Sequence, residues 1–352
     1  MIQIADMSKK LIFIVGSPRS GSTLLERMIS SHPAVAGGPE PHLLTPLAHL
    51  GYYENIDKAP YDHLRAVAAQ REFVNMLPNG ENDYLTALRA YCFFLYSQQL
   101  KQAGEGKTYV LDKTPAYALV LPFIEKVFPE GKFVVLTRHP AAIFSSYAQS
   151  FFEDDWQAAH DFNPIIERYI PAIARFLQES HCPKIHFRYE DLVLNPAEYM
   201  ERLCRFLDLP FDSSMVEYGK PGIPQRKGLG DPIGVNQHTR PVTTSIEKWV
   251  ELVQRDSQKE KLLRKMISFN SPDEYRTLGY DPETLLEPLN RQDEPEKGQV
   301  GKTVAKKKKK RGKTNTFTWE RRVLHLLRKN IHRNSLGKLV KKTRFFCDVL
   351  LR

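Results

Sequence analysis

Four short apolar runs recur along the first 190 positions: LIFIV (11–15), YVLD (109–112), FVVLT (133–137) and KIHFR (184–188). Each is bounded by charged or turn residues, and LIFIV and FVVLT are apolar without alternation. That is the pattern of parallel strands buried on both faces. Segments with helical spacing fill the intervals, over 23–31, 61–76, 84–101, 117–128, 164–180 and 197–207. The alternation predicts an α/β fold, a central parallel sheet flanked by helices with right-handed crossovers. The interval 41–107 is too long for a simple crossover and reads as a helical insertion. Its aromatics, Tyr91, Phe93, Phe94 and Tyr96, either pack in the core or wall an acceptor pocket.

Residues 208–247 carry many Gly and Pro and little periodicity, which predicts a long loop, and such loops are usually functional or disordered. A helix is expected to resume through IEKWVELVQ, with Ser245 as its N-cap. After about residue 290 the pattern dissolves into a polar linker (RQDEPEKGQVGK), then KKKKKRGK, then a basic stretch with apolar punctuation. The boundaries drawn are a folded domain over 1–290 and a basic linker with a C-terminal extension over 291–352.

Charge follows the same division. The net charge is +10, yet residues 298–352 hold 18 Lys/Arg against Glu320 and Asp348, leaving 33 basic and 39 acidic residues before them. The body is mildly acidic and the extension strongly basic. KKKKKRGK is expected to be disordered, and the segment after it suits an anionic membrane surface or an acidic protein such as an acyl carrier. It could also pack back on the body or remain a solvated extension. Nucleic acid ranks below these, because the body carries no nucleic-acid motif. No window reaches the roughly 18 apolar residues of a membrane span, and MIQIADMSKK lacks a signal-peptide pattern. The expectation is a cytoplasmic protein, peripheral at the membrane if the extension binds there. Four scattered cysteines (Cys92, Cys182, Cys204, Cys347) argue for free thiols and against a disulfide or zinc framework.

The chemistry begins where LIFIV ends. GSPRSGST (16–23) has the outline of a phosphate-cradling loop, but Ser22 stands where a P-loop carries lysine. Gly16 and Gly21 permit close backbone approach, and the following helix N-terminus favours an anion. Arg19, inside the loop, offers a permanent charge and a planar fork of donors, and Ser22 and Thr23 add hydroxyls. YVLD ends in an acid, which favours a magnesium-dependent kinase or NTPase. Lys113 follows at once, however, and FVVLT leads to Arg138, so side chains rather than a metal are expected to neutralise the ligand's charge.

These residues resemble a known family. FIVGSPRSGSTLLERMISSHP is similar to the phosphosulfate-binding loop of sulfotransferases, especially the tyrosylprotein and bacterial branches. The resemblance implies a P-loop-like α/β sheet, 3′-phosphoadenosine 5′-phosphosulfate (PAPS) as sulfuryl donor, and no metal. It assigns Gly16, Ser17, Pro18, Arg19, Ser20, Gly21, Ser22 and Thr23 to the 5′-phosphosulfate. VVLTRHPAAIFSSY resembles the family's 3′-phosphate motif, here Arg138 and Ser146. YEDLV, with Tyr189, resembles a stretch that packs near the nucleotide. RKGLGD resembles the loop over the 3′-phosphate, with Arg226 and Gly228, but is one residue shorter. The run from Gly230 through His238 to Trp249 is closer to bacterial sulfotransferases.

A base is useful because the acceptor loses a proton as it attacks. Glu40, in GGPEPH, resembles the catalytic glutamate of tyrosylprotein sulfotransferases. His238 is the second candidate, with a pKa range suited to neutral pH. Lys113, in DKTP, resembles the family lysine that steadies the leaving group; a salt bridge to Asp112 is its plainer alternative. His32, His42, His63 and His139 are given no catalytic role. The expected reaction is metal-independent in-line sulfuryl transfer to an acceptor hydroxyl, or to an amine. The acceptor stays open among small molecules, lipids, carbohydrates, peptides and carrier-bound chains. Two alternatives remain: a P-loop kinase acting on a small molecule, and a non-catalytic nucleotide-binding protein tethered by its basic extension.

Overall fold

A computed structural model describes residues 7–50, 52–53, 63–219 and 238–290 of the chain. Within them, five parallel strands form one sheet in the order β2-β3-β1-β4-β5. The strands are β1 (Leu11–Val15), β2 (Val35–Ala36), β3 (Tyr109–Lys113), β4 (Lys132–Thr137) and β5 (Lys184–Arg188). The four apolar runs read from the sequence are four of these. β2 escaped that reading because two residues make no hydrophobic run.

The central strand explains the layering. Leu11, Phe13 and Val15 join one buried apolar cluster, while Ile12 and Ile14 join a second. Alternate side chains of one strand thus feed both faces, which is why β1 has no polar position. Against the second face lie α1 (Ser22–Ser30) and, further along the chain, the helices Tyr189–Leu194 and Pro196–Leu207. The first face is covered by part of the insertion, which contains α2 (Leu44–Ala48), α3 (His63–Asn75) and α4 (Glu81–Ala103). It is also covered by α5 (Leu121–Val127), α6 (Pro140–Phe151) and the helix Ile165–Glu179. The expected insertion is present, and its aromatics divide: Phe93 and Tyr96 are buried, Tyr91 and Phe94 exposed.

Two helix boundaries differ from expectation. The segment read as one helix over 117–128 is a 3₁₀ turn, Pro115–Val120, followed by α5. Pro122 lacks an N–H and cannot continue the preceding turn, so a new helix starts there. The helix expected from Ser245 begins only at Lys248, with Glu247 at the cap. Ser245 is instead engaged in the site described below. Cys92, Cys182 and Cys204 are free thiols; Cys347 lies outside the described residues.

Chain order turns at β1: β3 lies on one side of it and β4 on the other. A crevice therefore opens at the carboxyl ends of these strands, where open α/β sheets hold their ligands. The glycine-rich loop, Lys113 and Arg138 all follow strands into that edge.

Candidate active site

The loop from Gly16 to Gly21 is tightly folded. A Cβ on Gly16 would lie 2.6 Å from Ser20 Oγ and 2.8 Å from the Leu136 carbonyl oxygen. Gly21 sits at φ 96°, and a Cβ there would meet the Tyr189 ring at 2.4 Å. Both positions therefore demand glycine. Arg19 is left-handed too, at φ 70°. For a non-glycine residue this strain costs about 1–3 kcal/mol and tends to persist at ligand sites. Gly21 is the N-cap of α1 and no side chain caps the helix, so its first-turn N–H groups have no side-chain cap there. Ser17, Ser20 and Ser22 are buried, and Ser20 Oγ has no hydrogen-bond partner among the described residues.

On the β3 side, Lys113 is buried and its Nζ lies 2.6 Å from Glu40 Oε1. The same Nζ is 3.4 Å from Thr23 Oγ1, at the start of α1. The plainer alternative for Lys113, a salt bridge, is present, but its partner is Glu40 and not Asp112, for a reason of geometry. Adjacent strand residues point to opposite faces, and Asp112 turns to Tyr96, Tyr117 and Thr114, at 2.6, 3.1 and 3.3 Å. Burial pushes the Asp112 carboxyl up to about 6, against the opposing pull of those hydroxyls and of Lys113. Glu40 Oε2 is also 3.4 Å from His42 Nε2, whose residue has φ 50°. His42, dismissed on sequence, is a neighbour of the candidate base.

On the β4 side, Arg138 is held without a carboxylate hydrogen bond among the described residues. Its terminal nitrogens donate to the carbonyl oxygens of Arg19 (3.0 Å) and Ser245 (2.8 Å), and its guanidinium stacks 4.4 Å over Tyr189. Its Nε is buried without a hydrogen-bond partner among the described residues. Burial lowers the Arg138 pKa, partly offset by Tyr189 and Glu190. Tyr189 is wedged between Gly21 and Arg138, with its hydroxyl 2.6 Å from Ser245 Oγ. Ser146, eight residues after Arg138, accepts a hydrogen bond from Arg19 Nε at 3.1 Å. The next residue after Arg138, His139, caps α6: its Nδ1 accepts the Ala141 N–H, so Nε2 donates to the Leu285 carbonyl. Burial lowers its pKa, which suits this neutral tautomer.

The structure thus gathers Arg19, Thr23, Glu40, Lys113, Arg138, Ser146 and Tyr189 at one edge of the sheet. His238 is described but exposed, and it carries none of the contacts that join Glu40 to Lys113. Arg226 and Gly228 lie outside the described residues. Sequence reasoning missed Ser245, His42 and Tyr117. A serine read as a helix cap carries no spacing that points to Arg138, 107 residues away, and His42 meets Glu40, two residues back, through a loop turn that leaves no periodic trace.

Comparison with known proteins gives the following. A family model described as "Sulfotransferase family" matches residues 12–213. The nodulation protein NoeE of Sinorhizobium fredii is 30% identical over 229 residues, covering 64% of this chain and 51% of that protein. The chain thus spans about half the length of NoeE. Protein-tyrosine sulfotransferase 1 of Danio rerio is 25% identical over 283 residues, 77% of this chain and 72% of that one. Among solved structures, the sulfotransferase domain of a Synechococcus olefin synthase aligns with a TM-score of 0.48 and 23% identity, over 74% of this chain and 95% of that chain.

Proposed function

The chain belongs to the sulfotransferase family, and from that premise we propose that it moves a sulfuryl group from PAPS to an acceptor hydroxyl or amine. The observation that carries this reading is the position of Lys113 Nζ, between Thr23 of the loop and Glu40. One cation touches both the donor cradle and the proton acceptor.

The residues fit the donor. Ser20 Oγ is a buried hydroxyl lacking a partner among the described residues, the loop glycines leave no room for side chains, and the surrounding charges at Arg19, Lys113 and Arg138 are cationic. When bound, PAPS supplies the sulfuryl group: the acceptor heteroatom bonds to sulfur as the bridging S–O bond breaks, leaving adenosine 3′,5′-bisphosphate (PAP). Arg19, Ser22, Thr23 and the α1 N-terminus hold the phosphosulfate. Glu40 takes the acceptor's proton. Lys113 and Arg19 stabilise charge developing on the departing bridging oxygen, where fixed cations act most strongly. Arg138 fixes the loop through the Arg19 carbonyl and lends its charge to the nucleotide's 3′-phosphate. The kinase alternative loses support at Asp112: its carboxylate already accepts three hydroxyl donors and is turned away from Lys113.

The test is calorimetric binding of PAP in EDTA, together with turnover of Glu40→Gln. Micromolar PAP binding without metal, with Glu40→Gln lowering kcat by about 10²–10⁴-fold at unchanged PAP affinity, is the expected result. PAP binding that requires magnesium, or full turnover in Glu40→Gln, overturns the respective half of the reading. Deleting 298–352 addresses the tethering alternative: retained transfer excludes a protein whose only function lies in that extension.

A further inference from the structure

Lys113 is one of two consecutive β3 residues with a charge, and the second, Asp112, holds the same loop from the other face. Asp112 is 2% exposed, and a carboxylate so placed is tolerable only when hydrogen-bonded. Its Oδ2 accepts from Tyr96 Oη at 2.6 Å and from Tyr117 Oη at 3.1 Å, and its Oδ1 from Thr114 Oγ1 at 3.3 Å. Tyr117 Oη in turn accepts the backbone N–H of Leu44 at 3.1 Å. Leu44 is the first residue of α2, so this N–H has no partner within its own helix.

We propose that Asp112, acting through Tyr117, is a positioning residue that sets the loop carrying Glu40. The loop is gripped at both ends from β3. Lys113 takes Glu40, and Asp112 takes Leu44 by way of Tyr117, four residues further on. Between the two grips lies His42, at φ 50°. A histidine in the left-handed region relaxes unless its flanks are fixed, so the strain independently marks a loop stretched between anchors. The geometry matters because a displacement of about 1 Å at a reacting group costs on the order of 10²-fold in rate. This inference rests on the reading of Glu40 as the base.

Tyr117→Phe removes one oxygen from the core and tests the proposal in the full chain. Turnover is expected to fall about tenfold while PAP affinity changes by less than about twofold. Amide exchange in the peptide 40–48 should quicken, with that in 22–30 unchanged. Asp112→Asn, which keeps the shape and a neutral acceptor, should shift both readouts the same way by a smaller factor, and it serves if Tyr117→Phe does not fold. In a Glu40→Gln background, Tyr117→Phe should alter the residual turnover by less than about twofold, because the group it positions is gone. Equal losses of turnover and PAP affinity, or unchanged exchange over 40–48, would overturn the proposal. If Glu40→Gln alone keeps full activity, the base assignment fails, and exchange over 40–48 still decides whether Tyr117 holds the loop.

Discussion

The two sides of β1 carry similar charges and treat them differently. On the β3 side a buried lysine meets a carboxylate at 2.6 Å, and the neighbouring buried aspartate meets three hydroxyls. On the β4 side a half-buried arginine donates to two carbonyl oxygens and covers a tyrosine ring. A cation paired with a carboxylate is compensated within the protein. One supported by carbonyl dipoles and a π-face keeps more of its positive field, at a desolvation cost that lowers the Arg138 pKa and that Tyr189 and Glu190 offset only in part. Under the proposed sulfuryl transfer, the β4 side is assigned mainly to holding the donor's anion and the β3 side mainly to the chemistry.

The largest expected effect comes from breaking the β3 pair. Lys113→Met keeps the buried volume and removes the charge from both Glu40 and the bridging oxygen. Turnover should drop by about 10³-fold or more, with PAP affinity reduced by less than about tenfold, as measured by steady-state kinetics and calorimetry. A loss concentrated in PAP affinity would place Lys113 with Arg138 on the binding side, and the contrast between the two sides would collapse.

What the sequence disclosed follows the same division. The strand runs, the glycine loop, Arg19, Lys113 and Arg138 were readable because each is local: a strand, then its carboxyl end, then a charge. Glu40 was readable only through a family resemblance, since nothing near GGPEPH indicates that a lysine 73 residues on will meet it. Lys113 was assigned Asp112 as the plain alternative because adjacency in sequence is visible and the alternation of a strand's faces is easily overlooked. Ser245 looked like a helix cap, yet its carbonyl and hydroxyl serve Arg138 and Tyr189 across more than 50 positions. Tertiary pairing of this kind leaves no periodic trace.

An intermediate effect is expected on the β4 side. Lys at position 138 keeps a positive charge but cannot span the Arg19 and Ser245 carbonyls or stack as a plane on Tyr189. Arg138→Lys should weaken PAP binding about 10–100-fold, equivalent to about 1.4–2.8 kcal/mol. The kcat at saturating donor should change by less than about threefold. A kcat loss as large as the affinity loss would mean that this arginine acts in the chemistry as well as in binding.

The smallest effect separates two accounts of Ser146. The resemblance implies that Ser146 meets the 3′-phosphate beside Arg138, whereas in the structure it accepts a hydrogen bond from Arg19 Nε. If it acts through Arg19, then Ser146→Ala removes one hydrogen bond from a side chain whose backbone stands at φ 70° and whose guanidinium lies 5.8 Å from the Phe151 ring. The loss should be about two- to threefold, in line with one hydrogen bond of ordinary strength, and should fall equally on PAP and on adenosine 5′-monophosphate. A hydroxyl that touched the 3′-phosphate would instead penalise PAP alone, and the ratio of the two affinities would fall with the mutation. That ratio, read from two titrations of one variant, decides whether Ser146 belongs to the arginine of the loop or to the ligand's far phosphate.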